Sequence, residues 1–420
     1  MKDFTSLELL PSIQETLAEK GLVRPTDIQS RALPALLSGK SVVGISETGS
    51  GKTLAYALPV LHQLKTLENA GSQVQADGHP RAVILVPARE LGEQVTRVFK
   101  PFTHTTRLRV RSVVGGTDFD VAKRNVSGAF DVLVATPGRL IKLLDRGLVN
   151  LSDVRVLVFD EADQMLDAGF LPSAIRISGD CKPHHQMVLF SATVPPKVQE
   201  LISQLFSAAE VIRSEGSHQL VSGLTTKNLA IENGKRFPVL ESLLETSVEG
   251  GTMIFTNTRE QCDKLFDEMK KVGHTAAVYR GEMDKMERRK NLKLFREGKI
   301  QFLISTDLAS RGLDVEHVGR VINYHLPQQM ENYIHRAGRT ARAGRKGVVI
   351  NLVTERDEVF VAKLQRLDAK KSIGPKKDTS AEWPSEPAHE KPKARIIRPS
   401  GIVVKTRESV TSARPILPVR

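Results

Sequence analysis

Ten short apolar runs punctuate the chain, and polar residues follow each one at once. Five lie in the first half: SVVGIS (41–46), RAVILVP (81–87), DVLVATP (131–137), VRVLVFD (154–160) and QMVLFSAT (186–193). Five lie in the second: TMIFTNT (252–258), TAAVYRG (275–281), QFLISTD (301–307), RVINYHLP (320–327) and GVVINLVT (347–354). Near-continuous apolar runs of this length are what parallel strands buried on both faces look like. Helical patterns between them, such as TLAYALPVLHQLKTLE and REQCDKLFDEMKKVG, supply the crossovers. The pattern therefore predicts two α/β units in series, over 1–214 and 229–368, with the polar stretch 215–228 as a linker. NAGSQVQADGHP (69–80) reads as a surface loop. From Ala369 to Arg420 the rhythm stops, and a chain rich in Pro, Lys and Ser predicts a disordered basic tail. Ligands of open parallel sheets bind outside the carboxyl ends of the strands. The polar residues trailing each run are thus the place to look for chemistry.

Composition narrows the class. Of 420 residues, 40% are hydrophobic, enough for real cores, and 26% are charged, as in soluble globular proteins. A formal net charge of +13 favours a polyanionic partner, nucleic acid first, with a ribosomal or membrane surface as the blander alternative. Cys181 and Cys262 have no metal-ligand spacing and make no disulfide framework, so a reducing cytoplasm is expected. The first residues lack the apolar block of a signal peptide, and no stretch approaches the roughly 20 apolar residues of a membrane span.

Two runs end in phosphate chemistry. SETGSGKT (46–53) follows a predicted strand and opens a predicted helix, the context that a phosphate loop requires. Gly49 and Gly51 let backbone N–H groups turn inward, Lys52 would reach the β- and γ-phosphates, and Thr53 would hold Mg²⁺. Thr48 and Ser50 complete the loop. VLVFDEAD (156–163) places Asp160 at the end of an apolar strand, where a second Mg²⁺ anchor sits, and Glu161 where it could orient and deprotonate water. Read alone, these acids could merely favour a helix N-terminus. In HRAGRTARAG (335–344), Arg336, Arg339 and Arg342 fall three apart, followed by Arg345. Most such runs are solvated faces, but Gly338 and Gly344 interrupt this one, and glycine weakens a helix by roughly 1 kcal/mol.

Together these motifs resemble a DEAD-box ATP-dependent RNA helicase of superfamily 2, in its short bacterial-type form. The resemblance spans about residues 4–365. GLVRPTDIQ (21–29) is similar to the family's adenine-recognising motif, with Phe4 at the spacing of a base-stacking aromatic and Gln29 as the amide that reads the adenine edge. PAREL (87–91), GG (115–116) and TPGR (136–139) resemble first-domain RNA contacts, and SAT (191–193) the coupling motif. IFTNTRE (254–260), STDLASRGLD (305–314) and YIHRAGRTARAG (333–344) match in order and spacing.

The resemblance implies two tandem RecA-like domains with ATP in the cleft between them and RNA across both. It implies ATP and Mg²⁺ as cofactors, and ATP-driven local unwinding of short RNA duplexes. Residue by residue, Lys52, Asp160, Glu161, Arg339 and Arg342 would be catalytic, with Thr53 and Asp160 on the metal. Gly312 and Asp314 would join the nucleotide contacts, Asp314 on the ribose. Asp163, Ser191, Thr193, His335 and Arg336 would couple nucleotide to domain closure. Arg89, Gly116, Thr136, Arg139, Thr258, Arg259, Gly281 and Thr306 would touch RNA, mostly its backbone, which positions a strand without reading bases. Ala88, Arg280, Lys285 and Glu47 depart from the family pattern without removing a catalytic group. An ATP-gated RNA clamp with little unwinding has the same signature and remains open beside the helicase reading. A non-enzymatic scaffold does not fit the intact phosphate-site residues. A monomer is expected, with RNA, single-stranded or as short duplex, as the partner, and with ribonucleoprotein or RNA-degradation partners conceivable through the tail.

Overall fold

The computed structural model describes residues 3–372, leaving out Thr48, Gln75, Thr117, 215–223, Glu282, 308–317 and 342–345. The first seven strands are β1 (Val42–Ile45), β2 (Ala82–Leu85), β3 (Val110–Val113), β4 (Val132–Ala135), β5 (Val156–Phe159), β6 (Gln186–Ser191) and β7 (Glu210–Arg213). They form one sheet in the order β3-β4-β2-β5-β6-β1-β7, and every pairing is parallel. Six more strands, β8 (Leu224–Ala230), β9 (Thr252–Thr256), β10 (Ala276–Tyr279), β11 (Phe302–Thr306), β12 (Arg320–Asn323) and β13 (Gly347–Val353), form a second. Its order is β10-β11-β9-β12-β13-β8, again all parallel.

The apolar runs are near-continuous because each sheet is covered on both faces. Along β1, Val42 joins a core layer with Ile84, Val158 and Phe190, while Val43 and Ile45 join the opposite layer with Leu85, Phe159 and Leu189. Met253 and Phe255 of β9 face one layer of the second sheet, and Ile254 faces the other. Each such Val, Leu or Ile, fully buried, stabilises the fold by about 1.5–3 kcal/mol. Gly44 in β1 is required by this packing, since a Cβ there would lie 2.2 Å from the Phe190 ring.

All ten predicted runs form strands. Two predicted boundaries are corrected. Residues from Leu224 onward, assigned to the linker 215–228, form the edge strand β8, which pairs with β13 along its whole length. Its polar composition suits an edge, and Asn228 is held by an amide ladder whose other two members are buried: Asn323 donates to Asn351 at 2.8 Å, and Asn351 donates to Asn228 at 2.7 Å. The last helix, Glu358–Ser372, runs through Ala369 and so covers the first residues assigned to the tail. Residues 373–420 lie outside the described residues. No described helix is long and apolar enough to cross a membrane.

Candidate active site

Strands β5, β6 and β1 are adjacent, so the segments that follow them meet at one edge of the first sheet. The helix Lys52–Asn69 begins directly after the glycine turn, with Gly51 at its N-cap in the left-handed region (φ 92°). A Cβ at Gly51 would lie 2.4 Å from the Gln29 amide, so the loop needs glycine twice over. Lys52 Nζ lies 3.0 Å from Glu161 Oε1 and donates to the Ser46 carbonyl at 3.1 Å. Lys52, Asp160 and Glu161 are all at least 95% buried. Burial opposes the charge of Lys52, but Glu161, Asp160 and Asp163 outweigh it and raise its pKa. Asp160 is pushed up to about 7, first by burial and then by the charge of Glu161.

Hydrogen bonds orient both carboxylates. Asp160 Oδ1 accepts from the Glu161 N–H at 3.0 Å, and Oδ2 accepts from the Tyr56 hydroxyl at 2.8 Å. Glu161 Oε2 accepts from Gln164 Nε2 at 3.2 Å. Glu161 itself takes positive φ (49°), a conformation that costs a non-glycine residue energy and is found at functional sites. Next to it, Asp163 Oδ2 accepts from both the N–H (2.9 Å) and the hydroxyl (2.8 Å) of Thr193, and Ser191 Oγ accepts from the Asp163 N–H at 3.2 Å.

The second sheet reaches the same place. After β12 the helix Met330–Ala337 brings His335 Nε2 to 3.5 Å from Asp163 Oδ2. Burial would raise the Asp163 pKa, but the hydrogen bond and charge of His335, then Lys52 and Thr193, hold it well below the usual carboxylate range. Arg336, 1% exposed, directs its guanidinium into the second sheet. It meets Asp307 at 2.5 and 2.8 Å, Asn323 at 2.9 Å, the His325 carbonyl at 2.6 Å and Asn257 at 2.9 Å. Arg339, 2% exposed, donates to the His335 carbonyl at 3.2 Å. Thr48, Gly312, Asp314 and Arg342 lie outside the described residues.

Two expectations change in detail. Phe4 does not stand as an open stacking surface. Its ring is 3% exposed among Leu7, Leu9 and Ile13, because Asp3 caps its turn and its N–H bonds the Val23 carbonyl at 3.1 Å. Gln29 is pinned on both sides: Oε1 accepts from the Thr26 N–H and Nε2 donates to the Gly51 carbonyl, each at 2.9 Å. One amide hydrogen and one lone pair remain to it, and the pinning fixes which way they point.

The predicted strand contacts sit along the other half of the edge, after β3, β4 and β2. Arg89, Gly116 and Thr136 line a cavity of about 460 Å³, whose far wall is Tyr279 and the helix Lys285–Arg296. Arg288 of that helix pairs with Glu90, and Arg289 lies 3.2 Å from Glu93, which also holds Arg89 at 2.8 Å. Arg139 lies outside this cavity, its guanidinium 5.9 Å from the Phe119 ring. Thr258, Arg259, Gly281 and Thr306 lie outside it too; Thr258 caps the helix Arg259–Lys271, and Thr306 ends β11. Ala88 is the N-cap of the helix Arg89–Thr106 and, without a hydroxyl, makes no side-chain cap. Arg280 pairs with Asp263 at 2.8 Å. Sequence reasoning missed Tyr56, Gln164, Arg288 and Arg289; only the basic run in KMERRKNLKLFR could have signalled the last two.

The residues fit a nucleotide and a divalent cation. Ser50 Oγ is buried in the loop with no hydrogen-bond partner among the described residues, at a helix N-terminus that favours anions. Two buried carboxylates stand beside one ammonium, and hard oxygen donors of this kind suit Mg²⁺ shared with phosphates. Among the described residues no cluster of three or more His, Cys, Asp or Glu could hold a metal by itself.

Comparison with known proteins agrees with this arrangement. Residues 26–201 match the DEAD/DEAH box helicase family and residues 235–344 the helicase conserved C-terminal domain. The chain is 33% identical over 363 residues to the RNA helicase CrhR of Synechocystis, covering 86% of this chain and 72% of that one. It is 35% identical to the human "Probable ATP-dependent RNA helicase DDX46", over 84% of this chain but only 34% of the relative, so it spans about a third of that protein. Among solved structures, S. cerevisiae Dbp5 bound to RNA and ADP BeF3 superposes with a TM-score of 0.77 at 30% identity, covering 87% of this chain and 93% of that one. The chain belongs to the DEAD/DEAH box helicase family.

Proposed function

We propose that this chain is an RNA-stimulated ATPase that separates short RNA duplexes. The observation that supports it most is the meeting of His335, from the second sheet, with Asp163, which Thr193 and Ser191 hold beside Lys52 and Glu161. That meeting joins a candidate hydrolysis site to an element that can report closure of one sheet on the other.

In this reading the loop N–H groups and Lys52 bind the phosphates, and Gln29 selects adenine. Thr53 and Asp160 would hold Mg²⁺, which would neutralise charge on the phosphate oxygens. Glu161 holds the attacking water and takes its proton. Arg339 and Arg342 meet the charge that spreads over the transferred group, a contribution on the order of 10³–10⁵ in rate where other NTPases use such a finger. Arg89, Gly116, Thr136 and Arg139 of the first domain, with Thr258, Arg259, Gly281 and Thr306 of the second, hold one strand by its backbone. The preference expected is for RNA geometry and 2′-hydroxyls rather than sequence.

Steady-state ATP hydrolysis with and without RNA, run beside displacement of a short labelled duplex, tests the proposal. RNA should stimulate hydrolysis, and Lys52→Ala should lose both activities along with most nucleotide affinity. ATP-dependent RNA retention without displacement would instead support the clamp.

A further inference from the structure

Lys52 and Tyr56 are one helical turn apart and face the end of β5 together. The lysine meets Glu161 and the phenol meets Asp160. Tyr56 is fully buried, its ring packed on Phe190 with centroids 5.9 Å apart. A tyrosine in such a core needs a partner for its hydroxyl. Here the hydroxyl donates to Asp160 Oδ2 at 2.8 Å, which joins the end of β5 to the helix Lys52–Asn69 that carries Tyr56. With Oδ1 taken by the Glu161 N–H, both oxygens of Asp160 are oriented by groups of the protein itself.

We propose that Tyr56 is a positioning residue for the divalent cation: its hydroxyl holds Asp160, at the end of β5, against the phosphate-loop helix that also carries Thr53. The inference rests on the reading of Thr53 and Asp160 as the metal-holding pair. The phenol does not touch the cation. It sets the direction of one carboxylate and keeps two segments in register, as partners behind metal ligands commonly do. A phenylalanine would fill the same space and supply no hydrogen bond.

The test is the Mg²⁺ dependence of nucleotide affinity, read by fluorescence of N-methylanthraniloyl-ADP without any turnover. Tyr56→Phe keeps the ring and its packing, and thermal melting checks the fold. In EDTA its affinity should stay within about 2-fold of wild type, while the Mg²⁺ concentration giving half the rise in affinity increases about 10-fold, the low end of losses behind metal ligands. An unchanged Mg²⁺ midpoint overturns the proposal. So does an equal loss of affinity with and without Mg²⁺, which marks a packing role only. Asp160→Asn separates the two layers of argument. If Asp160→Asn keeps the full Mg²⁺ effect, the metal assignment itself is wrong. If Asp160→Asn loses the effect and Tyr56→Phe does not, only the role of Tyr56 fails.

Discussion

Strands β5, β6 and β1 lead to charged and hydroxyl groups that are almost fully buried, whereas β3, β4 and β2 of the same sheet lead to small residues and partly exposed arginines. On the first half of the edge, Lys52, Asp160, Glu161 and Asp163 are all at least 95% buried and each is held by a short hydrogen bond or ion pair. On the other half, Arg89 is 21% exposed and its partner Glu93 43% exposed. The second sheet repeats the division. Its adjacent strands β10, β11 and β9 lead to Gly281, Thr306 and Thr258, while the helix after β12 and the turn that follows it hold His335, Arg336 and Arg339. Charge removed from water is strong and unforgiving, which suits bond-breaking. Charge left near water is weak and exchangeable, which suits a backbone that must be gripped and released.

The comparison is broken most sharply at Glu161. Glu161→Gln keeps the shape and the neighbours of the side chain but removes the carboxylate proposed as the base. Turnover should fall by roughly 10²–10⁴-fold, the range for loss of a general base. Nucleotide and RNA binding should persist, giving a long-lived complex. Hydrolysis at close to the wild-type rate would remove Glu161 from that role.

Arg336 tests whether burial on the second sheet serves stability or communication. The resemblance implies a coupling residue, yet its donors bind Asp307, Asn257, Asn323 and the His325 carbonyl, all on the second sheet. Arg336→Ala strands those partners and should destabilise the second sheet by about 3–5 kcal/mol, as breaking a buried ion pair does. Urea unfolding measures this. Unchanged stability with lost RNA stimulation would restore a purely coupling role.

How much of this was legible in the chain follows from the same physics. The ten buried strands were readable because both faces are covered, so nearly every residue is apolar. The strands that were missed, β3, β7 and β8, all lie at sheet edges with exposed positions, and none carries the continuous apolar run of a strand covered on both faces. Lys52, Asp160 and Glu161 were readable because the phosphate loop and the acidic strand end are local motifs. Tyr56 was not, because a tyrosine on an apolar helix face looks like core until Asp160, 104 residues away, is placed beside it. Arg289 was not, because a basic helix with no visible partner reads as a solvated face.

The smallest effect is expected at Glu93, and it sharpens the weak half of the comparison. Glu93 accepts from Arg89 at 2.8 Å and from Arg289 at 3.2 Å, so one carboxylate holds two cations on opposite walls of the same cavity. Burial would raise its pKa, but Arg89 and then Arg289 hold it below the ordinary value, so the carboxylate is ionised at neutral pH. An anion in that position competes with a phosphate for both guanidinium groups. Exposed pairs of this kind are worth about 0.2–1 kcal/mol, so Glu93→Gln should strengthen RNA binding at low salt by no more than about 5-fold. Every phosphate newly held by Arg89 or Arg289 should also steepen the fall of log K with log salt by roughly 0.7 for a single strand. Titrating labelled single-stranded RNA at several salt concentrations reads both quantities. ATP hydrolysis without RNA should not change, since Glu93 touches no group of the nucleotide half. Weaker binding with an unchanged slope would reverse the assignment: Glu93 would then be holding Arg89 in place for the strand rather than competing with it.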